Sequence, residues 1–573
     1  MNGINTMLFT KSKSVSVLLC ALTLFVSAAT AHPTDKLPRK PLIVFHLDMN
    51  SVALRPEYIR KWLKRAADMG YNAVLWEVEG KVKWKTCPEC VSPDAFSKKT
   101  FRKLLAYSRS LGLEPIPLLQ TVGHAEYVLR HKKYFSFRED PERYDCYATC
   151  KPEVRKFIEK WIHEYLRLFG HVKYFHLGGD EAYAFATSPA CARDAKTIGK
   201  GKLYAEYMKK IAAPLIKRGI RPCIWGDMAL KYPDAFTVLP RNFVIWDWNY
   251  WDTDTSPRKV MLWNQSRMVT AEQLTPQDKE LFPQIIDHDG NLRPFYTADY
   301  LMNLGYDVVL SSSARSYGDG VFAGREYVHA LNIIGAAKKT VADNLLGTCV
   351  TSWAVRIPNY ETQETWLYLA PLTMANSRLS DEQLIARSAE YVFGDSSNEI
   401  VRALADVGYP FPFGDDNTTG IMWTGMKDSR PAPPGYIDSL IGAWRKLDDG
   451  ARWDENVRTI DSAGKKIERG MEELDDFIPK VTKGFDALYS WRKAAYFQYW
   501  GWVIANDIVR NENGHLHSNP RKIIALLRRL KSDYIHWAKS WMTPASANQN
   551  AGLIYDALID YFSNVPAGGT KPE

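Results

Sequence analysis

Long apolar runs are scarce in this 573-residue chain. Beyond residue 31 none reaches the roughly 20 residues that a membrane-spanning helix needs. Charge of one sign is scarce as well: 74 Lys and Arg face 65 Asp and Glu, a formal +9. The larger basic clusters, Arg521-Lys522 with Arg528-Arg529, fit a solvated helix face, and nothing marks a nucleic-acid partner. Cysteine is sparse, at eight. Cys87-Pro-Glu-Cys90 and Cys146-Tyr-Ala-Thr-Cys150 form two close pairs, while Cys191, Cys223 and Cys349 are scattered. No His/Asp ligand set accompanies them, so disulfides or free thiols are favoured over zinc, and no metal or cofactor is expected. There is no internal repeat and no low-complexity segment.

What is present is a large core and many rings. The chain is 46% hydrophobic and 24% charged, with 19 Trp and 30 Tyr. Such rings fill large cores, and they also form platforms for flat apolar ligands such as sugars. Residues 1–31 read as an export signal: Lys11 and Lys13, a short apolar stretch Val15–Val26, then Ala29-Thr30-Ala31. Leu18-Leu19 before Cys20 do not suit a lipoprotein site. Cleavage near His32 removes two lysines and no acids, leaving +7 from +9. The expected location is periplasmic or extracellular, with no integral membrane segment after processing.

From Pro41 onward, short apolar runs alternate with amphipathic helices. Strands are expected at Leu42–Met49, Asn72–Val78, Leu113–Thr121, Val172–Leu177, Arg221–Trp225, Asn242–Trp248, Tyr306–Ser312 and Cys349–Trp353. Helices are expected at Pro56–Met69, Ala95–Leu111, Pro152–Phe169, Leu203–Lys217, Arg325–Lys339 and Glu364–Ala375. Eight such units predict an α/β fold, a TIM (β/α)8 barrel over residues 32–378, with a doubly wound sheet as the alternative. Beyond 379 the periodicity is helical, in segments such as Tyr436–Leu447, Lys480–Arg510 and Arg521–Trp541. An all-α C-terminal domain over 379–573 follows.

Polar and aromatic residues gather at the C-terminal ends of the strands, the face where such barrels build their sites. Tyr174-Phe-His-Leu-Gly-Gly-Asp-Glu-Ala-Tyr183 stands out, because a strand runs through two glycines into adjacent carboxylates, Asp180 and Glu181. Consecutive strand residues point to opposite faces, so a bend after the glycines is needed to bring both acids to one cavity. A carboxylic acid kept protonated in such a cavity can protonate a leaving oxygen.

His176-Leu-Gly-Gly-Asp180-Glu181 resembles the His-x-Gly-Gly-Asp-Glu motif of family 20 glycoside hydrolases, the β-N-acetylhexosaminidases. Thr121-Val-Gly-His124, the Tyr317-x-Asp319 element and Trp353 follow in the family's order. The resemblance spans about residues 41–375 and is nearest to the hexosaminidase D type. It implies an exo-acting hydrolase of terminal β-linked GlcNAc or GalNAc, retaining and substrate-assisted, in which the sugar's 2-acetamido oxygen forms an oxazolinium intermediate. By the resemblance Glu181 is the general acid and base, Asp180 holds the acetamido N–H, and Tyr317 aims its oxygen. Trp225, Trp248 and Trp353 would enclose the acetamido group and the sugar face, with His124 and His176 near the acids and Asp319 in the site.

The chain departs from the pattern in three places. The first strand, Ile43-Val-Phe-His-Leu-Asp48, lacks the family's sugar-clamping Arg. Gln120 replaces an Asp, and Ala354-Val355 stand where an acid follows the eighth-strand Trp. Hydroxyl recognition is therefore expected to use other residues, with His46, Asp48, Glu77 and Glu79 as candidates. The competing readings are a barrel glycosidase for another sugar and a carbohydrate-binding protein without catalysis. The implied partner is a glycan or glycoconjugate with a terminal N-acetylhexosamine; oligomeric state is open.

Overall fold

In a computed structural model of the chain, the structure describes residues 40–566 except positions 51, 317–318, 320–321, 323, 325, 354–358, 396–397, 409–433 and 517–518. The expected export signal lies outside the described residues.

Eight parallel strands close a barrel in sequential order: β1 (Leu42–Asp48), β2 (Ala73–Glu77), β3 (Glu114–Leu118), β4 (Tyr174–His176), β5 (Arg221–Trp225), β6 (Val244–Trp248), β7 (Asp307–Arg315) and β8 (Gly347–Ser352). Closure is made by β1 against β8, with Leu42 opposite Gly347 and Phe45 opposite Val350. The doubly wound alternative falls with that closure. The ladder is thinnest between β3 and β4, reduced to Leu118 opposite His176. Pro115 and Pro117 on β3 supply no N–H donors, which weakens any ladder built there. One element was not foreseen, a two-stranded antiparallel hairpin of Val260–Leu262 and Arg267–Val269 between β6 and β7.

Inward residues pack the barrel as a solid core. Val44, Leu75, Ile116, Leu118, Cys223, Val244, Val309 and Cys349 are buried together with Trp225 and Trp246. The surrounding helices present one apolar face each. On helix Pro152–Phe169 the buried apolar set is Val154, Ile158, Trp161, Ile162, Tyr165, Leu168 and Phe169, at helical spacing.

The region after the barrel is helical in its described parts: Asp381–Phe393, Glu399–Val407, Tyr436–Lys446, Ala451–Phe477, Phe485–Glu512, Pro520–Ala538 and Pro544–Ser563. It docks on the loop after β1. Arg55 N donates to Trp541 O at 2.8 Å, Thr543 N to Ala53 O at 2.9 Å, and Ala53 N to Ser546 Oγ at 2.9 Å. It also reaches the loop after β7, where Phe322 stacks on Phe497 with ring centroids 5.1 Å apart.

The cysteine pairing differs from the spacing. Cys87 and Cys90 are joined, but Cys150 is joined to Cys191, not to Cys146, which is a buried free thiol. The chain turns back at Lys151 into the long helix, and that turn brings Cys150 beside helix Pro189–Ile198 with Cα atoms 5.4 Å apart.

Candidate active site

The site is built where β4 ends. Leu177 N donates to Cys223 O, and Trp225 N to Gly178 O at 3.1 Å, so the chain stays beside β5 while it bends. Gly178 (φ 61°) and Gly179 (φ 94°) make that bend in the left-handed region. A Cβ at 178 would run into Gln120 Oε1, and one at 179 into Met208 and the Tyr204 hydroxyl. Glu181 itself has φ 41°, His124 after β3 has φ 50°, and Glu79 after β2 has φ 33°. Each such residue costs about 1–3 kcal/mol, and three beside one another at neighbouring strand ends mark a functional centre.

The bend does bring both acids to one place. His124 Nε2 lies 3.2 Å from Asp180 Oδ2 and 3.3 Å from Glu181 Oε2, so one imidazole bridges the doublet. The two carboxylates are not equivalent. The Asp180 side chain is 8% exposed and that of Glu181 is 36% exposed. Asp180 Oδ1 is a buried acceptor that takes no hydrogen bond from the protein. The Tyr183 side chain lies beside Glu181. The geometry therefore offers one enclosed acceptor and one accessible carboxyl group that can exchange protons.

Glu77 and His46, the candidates for sugar hydroxyls, are buried behind the doublet. Their exposures are 2% and 0%. Ser352 N donates to His46 Nδ1, which leaves the proton on Nε2, and Nε2 donates to Glu77 Oε2 at 3.2 Å. Gln120 Nε2 donates to Glu77 Oε1 at 3.1 Å. Both oxygens of Glu77 are thus held inside the protein. Burial, then the charge of Asp180, pushes the Glu77 carboxyl up to about 7, and burial holds the His46 imidazole down at about 4. These residues support the acids from behind. Asp48 is also fully buried, and its Oδ1 accepts from Asn50 N at 2.7 Å.

The three tryptophans divide by depth. Trp225 is 1% exposed and belongs to the barrel core, against His176 (4.5 Å) and Trp246 (5.7 Å), so it forms floor and not wall. His176 is buried there too; Gly178 N donates to its Nδ1 at 3.0 Å, and burial keeps it neutral. Trp353 is half-buried above this floor, 5.8 Å from Trp225 and 4.9 Å from His46, and its Nε1 donates to the Tyr250 hydroxyl at 3.0 Å. Trp248 is half-buried beside Tyr250 and Trp263. Trp248 and Trp353 are the rings with a face to offer.

Asp319 is 3% exposed, accepts from Ser316 N at 2.8 Å and lies 2.9 Å from His329 Nε2. It is therefore held between the loop backbone and the helix Glu326–Ala342 that follows. Tyr317, Ala354 and Val355 lie outside the described residues. Asp227 was missed as a site residue: its Oδ2 accepts the Glu181 backbone N–H at 2.9 Å. The available signal was its place two residues beyond Trp225 at the end of β5. Among the described residues no group of three or more His, Cys, Asp or Glu is arranged to hold a metal ion.

Residues 74–276 match the sequence model described as glycosyl hydrolase family 20, catalytic domain. The chain is 27% identical over 242 residues to hexosaminidase D of Homo sapiens, covering 40% of this chain and 49% of that one. It is 25% identical over 213 residues to hexosaminidase D of Bos taurus, covering 35% and 62%. The chain thus spans about half to three-fifths of the length of these curated relatives. A solved chitobiase structure from Flavobacterium johnsoniae superposes with a TM-score of 0.48 at 14% identity, over 90% of this chain and 78% of that one. The barrel is thus similar over residues 74–276 to the glycosyl hydrolase family 20 catalytic domain, and hexosaminidase D is among the proteins that the chain resembles.

Proposed function

We propose that the protein is an exo-acting β-N-acetylhexosaminidase that releases terminal GlcNAc or GalNAc from glycans or glycoconjugates, with retention, through an oxazolinium intermediate. The observation that carries the reading is the asymmetric doublet: Asp180 enclosed, with a buried oxygen that takes no hydrogen bond, and Glu181 accessible, both on His124. Two adjacent acids cannot easily flank a glycosidic bond from opposite sides as acid and nucleophile. They suit a substrate that brings its own nucleophile.

In the first step the 2-acetamido carbonyl oxygen bonds to C1 while the C1–O bond to the leaving group breaks. Glu181 gives its proton to the departing oxygen. Asp180 accepts the acetamido N–H and offsets the positive charge that develops on the ring. In the second step Glu181 takes a proton from water, the water oxygen bonds to C1, and the oxazolinium ring opens. Tyr317 hydrogen-bonds the acetamido oxygen, and Trp248 and Trp353 bracket the sugar. Export fits the same reading, since the Cys87–Cys90 and Cys150–Cys191 bridges suit an oxidising compartment.

The test compares aryl β-N-acetylglucosaminide, β-N-acetylgalactosaminide and β-glucoside substrates. Turnover is expected only where the 2-acetamido group is present. Equal turnover of the plain glucoside would sink the substrate-assisted reading.

A further inference from the structure

Asp227 opens the short helix Asp227–Lys231 directly after β5. It is 6% exposed, and it links two parts of the site that come from different strands. Its Oδ2 accepts the backbone N–H of Glu181 at 2.9 Å, and the Trp248 side chain lies beside the same carboxylate. Its Oδ1 is buried and accepts no hydrogen bond. The link therefore runs from an aromatic ring at the end of β6, through one carboxyl group, to the main chain of the accessible acid.

The main chain at that point needs holding. Three left-handed positions within four residues, Gly178, Gly179 and Glu181, give the turn no regular ladder of its own. Side-chain hydrogen bonds hold it at three points: Gly178 N donates to His176 Nδ1 at 3.0 Å, the Tyr204 hydroxyl donates to Gly179 O at 3.1 Å, and Asp227 accepts from Glu181 N. Removing Asp227 leaves the Glu181 N–H without its partner and the φ of Glu181 free to relax.

We propose that Asp227 is a positioning residue that pins the Glu181 backbone in its strained conformation and couples it to Trp248, so that a sugar seated against Trp248 steadies the acid. Four titratable groups face it: Asp180 and Glu181 from the end of β4, Tyr183 just beyond them, and Tyr204 from helix Lys200–Ile216. Burial first, then the Asp180 charge, raises the Asp227 carboxyl to about 7. The neutral form keeps its carbonyl oxygen for the Glu181 N–H and spares Asp180 a second negative neighbour. The ionised form, at higher pH, places like charge beside Asp180.

The proposal rests on the reading of function above, and two measurements on the full chain keep them apart. Amide hydrogen exchange of a peptide covering residues 178–186 is followed in wild type, Asp227→Asn, Asp227→Ala and Trp248→Phe, alongside kcat, KM and the pH profile. Asp227→Ala is expected to lose protection by about tenfold and kcat by about a hundredfold with KM little changed. Asp227→Asn retains an acceptor, so protection and low-pH activity return to within about threefold of wild type, while the limb near pH 7 moves. Trp248→Phe, which spares Asp227 itself, is expected to fall between the two. Unchanged exchange in Asp227→Ala overturns the proposal whether or not wild type cleaves N-acetylhexosaminides. An active wild type with undiminished kcat in Asp227→Ala overturns it equally. A wild type without turnover counts against the function alone, and the exchange arm still decides the role of Asp227.

Discussion

Gln120 donates its side-chain amide to Glu77 over 3.1 Å inside the barrel mouth. The Gln that departs from the family's Asp is thereby explained within this chain. Glu77 needs a donor on that side, and a second carboxylate would repel it. Gln120→Glu is expected to cost about 2–4 kcal/mol in urea unfolding, since it buries like charges face to face. Gln120→Ala removes only the donor and should cost about 1–3 kcal/mol. A Gln120→Glu protein as stable as wild type would contradict the arrangement.

The pH dependence of stability carries a signature of Glu77. Its folded carboxyl is raised to about 7, above the ordinary carboxylate range, so the folded state holds its proton longer than the unfolded chain does. Stability from this group is complete below about pH 4.3 and is lost as pH rises towards 7. His46 acts in the opposite direction: held at about 4, it loses stability as pH falls from about 6.5. The difference in unfolding free energy between wild type and Glu77→Gln isolates the first effect. It should shift steadily against wild type between about pH 4.5 and 7; a flat difference would show that Glu77 is ionised throughout.

Glu181→Gln is expected to lower kcat by about 10²–10⁴-fold on poor aryl leaving groups, and by much less on a dinitrophenyl leaving group that needs no protonation. Asp180→Asn should lose a similar amount on both, because its task is to orient and stabilise charge. Leaving-group dependence of kcat in the two variants separates the roles. Equal sensitivity would remove the distinction drawn from their unequal exposure.

Gly123 sits against the main chain of the doublet, where an added Cβ would run into the Asp180 carbonyl oxygen and come within 3.2 Å of Ala182 N. Gly123→Ala should therefore displace the acids without emptying any core. A kcat loss of about a hundredfold is expected, with the thermal midpoint lowered only slightly. Unaltered turnover would mean that the turn moves without consequence.

The strands, their order and the acid doublet were legible because each leaves a local mark: apolar runs of strand length, glycines before the acids, helices begun by Pro56 and Pro152. What was not legible depends on depth. His46, Glu77 and Trp225 lie on the right strands, yet their side chains turn inward, and residue type at a strand end does not reveal whether the last ring is floor or wall. Asp227 escaped because its work is done on a backbone N–H of another strand, which no side-chain motif records. The Cys150–Cys191 bridge escaped for the same reason, since spacing favoured the neighbour Cys146.

That bridge closes a loop with 41 residues of separation, and β4 and the doublet lie inside it. Cys191→Ser is expected to lower stability by about 3–4 kcal/mol in the chain-entropy account. Reduction of wild type should move its unfolding midpoint in the same direction, and the Cys191→Ser protein should respond less to reductant. Identical responses would mean that the bridge does not form.

The contact between Ala53 and Ser546 joins positions 493 residues apart. On a ribosome that emits some 5–20 residues each second, the first barrel loop is exposed for tens of seconds before its final partner exists. The rim of the site is therefore among the last surfaces to be completed, and a chain interrupted anywhere before the closing helix is released with its mouth unfinished.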